Sequence, residues 1–391
     1  MRMLQDAGML FSPHFRLAYA GWSEMVGGEK MENQKKVIVA CGGTGGHLFP
    51  GVAVAQELKQ RGHEVKLLIS EKKVDAEASK KYGDLDFATV PAIAKPATLS
   101  LKMIPFLWKF WKTKAKCTQI LKDFGVDAVI GMGGFTSMPP VIAGKKLGAK
   151  TYVHDSNALP GKANRMTARW CDAVLLGLEA AKEYFGGNKV EITGTPVREE
   201  LQNIPSREEA AKKLDLDPAK KTVLVMGGSQ GAKNLNSLVV EASKAMPDIQ
   251  FIQITGNLDH DRVKDELGDT GGRHKLIAFC DDMASVYAVT DVVVMRSGAS
   301  SLSEISYLGL ASILVPYPYA ADDHQTKNAE VFEKAEAALL RQERELDAGM
   351  LVADLSSILL ETEKLVNMSA ASAALGVKDA AKRVCNVIEK G

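Results

Sequence analysis

Cysteine is scarce in this chain. The five in 391 residues (Cys41, Cys117, Cys171, Cys280, Cys385) form no C-x-x-C pair and no paired Cys/His spacing. That excludes a disulfide-stapled module and a structural zinc site and reads as a protein of a reducing compartment. Long apolar runs are also missing: nothing approaches the roughly 18 apolar residues a membrane-spanning helix needs. Charge excess is missing too. Lys plus Arg number 49 against 48 Asp plus Glu, a net +1, so capture of nucleic acid by whole-protein charge is excluded and no nucleic-acid partner is expected. Near the start, the short apolar patch at Met9 to Phe11 is broken by Ser12, Pro13, His14 and Arg16 before a signal-peptide core can form. Residues 1–34 therefore read as a mobile extension, with Met31 as an alternative start.

What remains is ordinary globular composition, 46% hydrophobic and 25% charged, at a length that suits two or three domains. From Lys36 onward, short β-branched runs alternate with longer amphipathic segments, the pattern of βαβ units and parallel sheets buried on both faces. Strands are expected at 37–41, 65–69, 87–90, 128–132, 151–154, 173–176 and 190–192. A second series follows at 222–226, 251–255, 275–278, 292–295, 312–315 and 338–340. Between them, residues 194–221 carry Pro196, Pro205, Pro218 and a capping-box pattern from Ser206 to Glu209, which suits a connection with one short helix. The fold class is α/β, with two Rossmann-like parallel-sheet domains facing across a cleft. The expected division is 1–34 extension, 35–196 first domain, 197–221 linker, 222–366 second domain, and 367–391 a C-terminal helix packing back on the first domain.

Glycine-rich loops mark the chemistry. Gly42-Gly-Thr-Gly-Gly-His47 leaves the first strand and opens a helix, so its glycines allow close backbone approach while unpaired helix N–H groups face an anion. A tight turn without ligand is the plainer alternative. The dinucleotide fingerprint fails, since Leu48 stands where its third glycine belongs, and no glycine-lysine pair is followed by Ser or Thr as a P-loop requires. Gly227-Gly-Ser-Gln-Gly231 repeats the device in the second half. Residues 296–304 then place small side chains at a helix start with the Glu304 carboxylate one turn inside, suited to two adjacent sugar hydroxyls; a solvated helix glutamate is the plainer alternative. Residues 317–328 add polar side chains beyond a strand's carboxyl end.

Taken in order, the segments at 42–47, 131–137, 194–198, 227–231, 279–283, 296–304 and 323–325 resemble the motif series of the MurG family from Lys36 to the end. That resemblance implies the GT-B architecture and an inverting transfer of GlcNAc from UDP-GlcNAc to lipid I, giving lipid II in peptidoglycan synthesis. It implies donor contacts at Thr44, Gly45, Gly46, Asn157, Arg198, Ser229, Cys280, Glu304 and Gln325, with Ala299, Ser300, Ser301, Leu302 and Ser303 on the helix start before Glu304. Cys280 would read uracil through its backbone, Glu304 would hold the ribose, Arg198 and Ser229 would meet the diphosphate, and Gln325 with Asn157 would orient the GlcNAc. Gly133, Gly134 and Phe135 would lie on the acceptor side. The resemblance also implies the cytoplasmic face of the inner membrane as location, anionic lipids of that leaflet and other cell-wall synthesis proteins as partners, and no cofactor or metal. Three positions depart from the family pattern: Asp155-Ser156 stands for Glu-Gln, Phe135 for a frequent Tyr, and Thr195 for a frequent Asn. They count against catalysis by Asp155 or Phe135.

His47 is the first candidate base, because an imidazole titrates near neutrality and this one ends the glycine loop; a structural, hydrogen-bonded histidine is the alternative. Asp155 is the second candidate, or the residue that orients His47. Between 99 and 116, aromatic and apolar residues, Trp108 and Trp111 among them, alternate with lysines that include Lys109 and Lys112. Such a segment suits the interface of an anionic bilayer. The alternative is that its aromatics pack in the core. Another two-domain glycosyltransferase or a sugar-nucleotide epimerase is the second functional reading, a non-catalytic nucleotide-sugar binder the third, and an oxidoreductase using Glu71 for the ribose the most distant.

Overall fold

The computed structural model describes residues 34–92, 103–227 and 232–391. The expected extension at 1–34 falls outside them except for its last residue. Thirteen strands lie within one residue of the positions expected from the sequence. The first sheet contains β1 (Lys36–Ala40), β2 (Glu64–Ser70), β3 (Asp86–Val90), β4 (Ala128–Gly131), β5 (Lys150–Asp155), β6 (Ala173–Leu176) and β7 (Val190–Ile192). It is parallel throughout, in the order β3-β2-β1-β4-β5-β6-β7. Its helices are α1 (Gly45–Gln60), α2 (Lys73–Lys81), α3 (Met103–Phe124), α4 (Gly134–Lys146) and α5 (Lys162–Thr167).

The connection carries α6 (Arg207–Leu214), where both hydrogen bonds of the Ser206–Glu209 capping box form. The second sheet runs β10-β9-β8-β11-β12-β13, again parallel, from β8 (Thr222–Met226), β9 (Gln250–Ile254), β10 (His274–Ile277), β11 (Val292–Met295), β12 (Ala311–Leu314) and β13 (Ala338–Leu340). Around it lie α7 (Lys233–Ala245), α8 (His260–Leu267), α9 (Met283–Val289), α10 (Ala299–Leu308), α11 (His324–Lys334), α12 (Ala348–Leu359) and α13 (Thr362–Leu375). The central strands β1, β4, β8 and β11 are almost wholly buried because both faces are covered, which is why they read as unbroken apolar runs.

The last segment is two helices rather than one, broken at 376–379. The first, α13, packs on α10 and α12 of the second half, and only α14 (Ala380–Lys390) returns to the first half, against α1. There Val384, Cys385 and Ile388 join the core, while Glu389 pairs with Arg61 at 2.7 Å and His63 at 2.9 Å.

Candidate active site

The strand order reverses between β1 and β4 in one sheet and between β8 and β11 in the other. In open parallel sheets ligands bind beyond the strand ends at such reversals. The segments singled out in the sequence at 42–47, 131–137 and 296–304 follow or begin at the ends of β1, β4 and β11, and the one at 227–231 begins where β8 ends. Ser229 lies in 228–231, outside the described residues. Helices α1, α4 and α10 begin on three of these loops with Thr44, Gly133 and Gly298 at the N-cap, and none has a side-chain cap. Their first-turn N–H groups are therefore left for an anion, apart from His47 N, which donates to Thr44 O at 3.1 Å.

Cross-contacts bring the two halves together at this seam. Arg198, after β7, donates to Glu304 Oε1 on α10 through Nε at 3.0 Å, with Nη2 in ion-pair contact with the same oxygen at 3.0 Å, and its guanidinium lies 5.1 Å from the Phe49 ring centre on α1. Tyr287 of α9 donates to Glu304 Oε2 at 2.8 Å. The expected diphosphate and ribose ligands are thus paired with each other, and both are largely buried. Burial, reinforced by the Glu304 charge, pushes the Tyr287 phenol well above its usual range. A second crossing runs through Asn328 of α11, which is fully buried. It accepts from Ala158 N at 2.8 Å and donates to Asn157 Oδ1 at 3.1 Å and to Ser297 O at 3.0 Å. Lys162 and Asp322 make a third crossing at 2.6 Å. Asp322 and Asp323 both hold positive φ, 52° and 54°, a strained path just before Gln325. Gln325 itself holds the turn, accepting from Tyr317 N at 2.9 Å.

His47 packs against the 133–134 turn. There φ of +123° and the ring itself exclude any side chain on Gly133, whose Cβ would come 2.8 Å from the imidazole Cδ2 and Nε2. Thr44 Oγ1 lies 3.2 Å from its Nδ1. Burial lowers the imidazole to about 4, against the opposing charge of Asp75. His47 is therefore neutral at pH 7. Asp155 is 1% exposed, and burial pushes its carboxyl up despite several hydrogen bonds. Oδ1 accepts from Asn157 N (2.9 Å) and Asn157 Nδ2 (3.2 Å), Oδ2 from Gly161 N (3.0 Å) and Asn164 Nδ2 (2.8 Å). None of these partners is His47, so the direct orienting bond considered in the sequence is not made; the carboxylate instead closes the turn that carries Asn157.

Cys280 is half-buried on the loop after β10, and burial raises its thiol. That loop leads into α9, whose Asp282 N-cap accepts from Ser285 N. Ala299 and Leu302 are buried in α10, with Ser300, Ser301 and Ser303 half-buried beside them. Phe135 packs edge-on against Phe106 of α3, ring centres 6.3 Å apart. On α3, Thr113, Cys117 and Leu121 face inward, while Ile104, Leu107, Trp108 and Trp111 form an exposed stripe, with the tryptophans 67% and 58% exposed. Core packing of these two rings is thereby overturned. Lys109 is exposed, and Lys112 lies 5.1 Å over Trp108. Among the described residues, no group of three or more His, Cys, Asp or Glu side chains converges as a metal site, and no helix is long and apolar enough to cross a membrane.

Sequence reasoning missed Phe49, Tyr287 and Asn328, which contact the candidate residues Arg198, Glu304 and Asn157. Only Asn328 left a trace, as a polar residue in the 317–328 stretch.

Residues 37–176 match the glycosyltransferase family 28 N-terminal domain and residues 222–384 the family 28 C-terminal domain. A UDP-N-acetylglucosamine--N-acetylmuramyl-(pentapeptide) pyrophosphoryl-undecaprenol N-acetylglucosamine transferase of Desulfotalea psychrophila is 38% identical, covering 92% of this chain and 97% of its own. The protein of the same name from Halalkalibacterium halodurans is 34% identical, over 91% and 99%. Among solved structures, Acinetobacter baumannii MurG superposes with a TM-score of 0.71 at 24% identity, covering 92% of this chain and 100% of that one. A Neisseria meningitidis UDP-GlcNAc 2-epimerase bound to UDP-GlcNAc gives 0.64 at 16%, over 91% and 100%, which shows how far the two-sheet GT-B fold is shared across activities. With both halves matched and close relatives aligned along nine-tenths of its length, the chain belongs to glycosyltransferase family 28, in its MurG branch.

Proposed function

We propose that this protein transfers GlcNAc from UDP-GlcNAc to the MurNAc 4-hydroxyl of undecaprenyl-pyrophosphoryl-MurNAc-pentapeptide, lipid I, with inversion, giving lipid II. The observation that carries the reading is the seam itself: two sheet reversals with uncapped helix N-termini, tied together by Arg198, Glu304, Asn157 and Asn328. In this reading residues 222–375 form the donor lobe and 35–196 the acceptor and membrane-side lobe, joined by 197–221, with α14 returning to the latter. The loop around Cys280 takes the uracil, Glu304 the ribose, Arg198 and the 227–232 loop the diphosphate, and Gln325 with Asn157 the sugar. The first turn of α10, residues Ala299 to Ser303, faces the diphosphate with its N–H groups.

His47 takes the proton from the attacking hydroxyl. Its neutrality at pH 7 leaves it able to accept one, and a positioned base contributes about 10²- to 10⁴-fold. Asp155 is a positioning residue for the Asn157 turn. The charge that develops on departing UDP is met by Arg198 and by N–H donors of the α1 and α10 starts, each preorganised donor contributing about 10²- to 10³-fold. Opposite the donor, Gly133, Gly134 and Phe135 form the acceptor wall, and Phe106 links that wall to α3. The exposed stripe of α3 lies at the cytoplasmic leaflet, its tryptophans at headgroup depth and each lysine contributing about 1 kcal/mol near an anionic surface. Lipid I is then reached without a spanning helix.

The experiment is direct: protein, UDP-GlcNAc and a lipid I analogue, scored for UDP and for the β-linked disaccharide. Disaccharide formation is expected. UDP-GlcNAc turned over to free sugar epimer, or bound without transfer, would replace this reading with the epimerase or the binder.

A further inference from the structure

The β2–α2 connection grips the first glycine loop from outside. Asp75, in the first turn of α2, is 0% exposed. Its Oδ2 accepts from Gly43 N at 2.9 Å, from Ser70 N at 2.8 Å and from the Ser70 hydroxyl. Its Oδ1 is buried with no hydrogen-bond partner among the described residues. From the same connection Lys72 Nζ donates to Gly43 O at 2.7 Å. Both the N–H and the C=O of Gly43 are therefore held by one neighbouring segment, at a residue whose φ of +115° gives the loop no conformational preference of its own. Gly43 immediately precedes Thr44, the N-cap of α1, so its orientation sets the directions of the N–H groups and of His47 that follow. A buried carboxylate with a partnerless oxygen is costly to keep, and retaining one against a glycine loop calls for a use.

We propose that Asp75 is a positioning residue for the transfer: through Gly43 it fixes the loop that presents Thr44, Gly45, Gly46 and His47 to the cleft, and it touches no substrate. The inference rests on the reading of that loop as part of the transferase site. Electrostatics agree with the geometry. The Asp75 charge favours protonated His47, opposed by Lys72 from the same connection and by burial, and a charge on His47 would in turn disfavour one on His154 of β5. Proton uptake by His47 in the reaction is thus assisted by a carboxylate that never leaves the core.

The test compares Asp75→Ala with Asp75→Asn in the full-length protein. In Asn the side-chain oxygen can still accept from Gly43 N and Ser70, with the amide nitrogen in the place of the partnerless oxygen; Ala keeps nothing. A loop displaced by about 1 Å costs about 10²-fold in rate. Asp75→Ala is expected to lose about 10²-fold in kcat with the Kd for UDP changed less than threefold, because the uracil, ribose and diphosphate are assigned chiefly to the other lobe and Arg198, while the α1 N–H groups act on the charge that develops as UDP departs. Asp75→Asn is expected to stay within about tenfold of the parent. Amide hydrogen exchange across 42–48 should quicken at least tenfold in Asp75→Ala and little in Asp75→Asn. Asp75→Ser, whose hydroxyl is too short to reach Gly43 N, replaces the alanine form if that does not fold, with the same losses expected. A folded Asp75→Ala with kcat within twofold of the parent, unchanged exchange at 42–48, or UDP affinity falling in step with kcat would overturn the proposal. A parent protein that makes no disaccharide would instead defeat the functional reading, and the exchange arm would still decide whether Asp75 holds the loop.

Discussion

Replacing Glu304 tests the donor lobe most sharply, because the carboxylate also joins the two halves. It accepts from Arg198 Nε at 3.0 Å and from Tyr287 at 2.8 Å, with Arg198 Nη2 in ion-pair contact at 3.0 Å. A charged hydrogen bond contributes about 1.5–3 kcal/mol. Ribose hydroxyls must share Oε1 and Oε2 with these partners, and Arg198 must swing partly toward the diphosphate, so the lower end applies. About 1.5 kcal/mol corresponds to a roughly tenfold rise in the Kd for UDP in Glu304→Ala. Stability should suffer more than binding: removing one partner of a buried pair leaves the other charge stranded, at about 3–5 kcal/mol. At about 2–4 °C per kcal/mol for a lobe of this size, Tm should fall by about 10 °C. Glu304→Gln keeps an acceptor and the shape while losing the charge, so its Kd should rise only about threefold. Calorimetric titration with UDP, with a thermal melt of each variant, reads all three values. A folded Glu304→Ala that binds UDP within twofold of the parent would refute the assignment of the ribose to this carboxylate.

The base is read by His47→Ala, expected to lose 10²-fold or more in turnover with UDP affinity within threefold; in the parent, the acid limb of kcat/KM should fall near pH 4, where the half-buried imidazole charges, and a limb near pH 6.5 would point to another group. Burial also lowers His154 and His274 to about 4 from 6.5, so the unfolded chain binds more protons between these values and stability is fully present above pH 6.5 and falls as pH drops. Denaturant midpoints at pH 7 and 5 should show about 2 kcal/mol lost per histidine, and an unchanged midpoint would contradict their burial as neutral rings. Asn328→Ala strands Asn157 Oδ1 and Ala158 N, each at about 1–3 kcal/mol, and should raise the KM for UDP-GlcNAc more than it lowers kcat for any acceptor; an unchanged KM would separate Asn157 from the sugar. Replacing Trp108, Lys109 and Lys112 together should abolish sedimentation with anionic vesicles at low salt while leaving turnover of a water-soluble acceptor intact; vesicle binding that survives would place the membrane contact elsewhere.

The features legible in the sequence are those with a local period or a local stereochemical demand. Thirteen strands, their division into two series and the Ser206–Glu209 cap were readable because β-branched runs and capping boxes act within a few residues. The glycine loops were readable because a strand must turn sharply into a helix at each sheet reversal. Less legible was the state of each side chain in those loops. Whether Trp108 and Trp111 face water depends on which stripe of α3 meets the sheet, and the buried stripe of Thr113, Cys117 and Leu121 is too short and mixed to announce itself. Not legible at all were the pairings that assemble the seam. Arg198 meets Glu304 across 106 positions and Asn328 meets Asn157 across 171, and no local pattern encodes either distance. These long-range pairings also determine how the cleft can work. An arginine and a carboxylate that satisfy each other across the seam avoid stranding two buried charges, which is why neither can be replaced alone without cost. If the ribose and diphosphate are held by these same two groups, as proposed, donor binding and the joining of the two halves draw on one pair of side chains, and a variant at either position should change both.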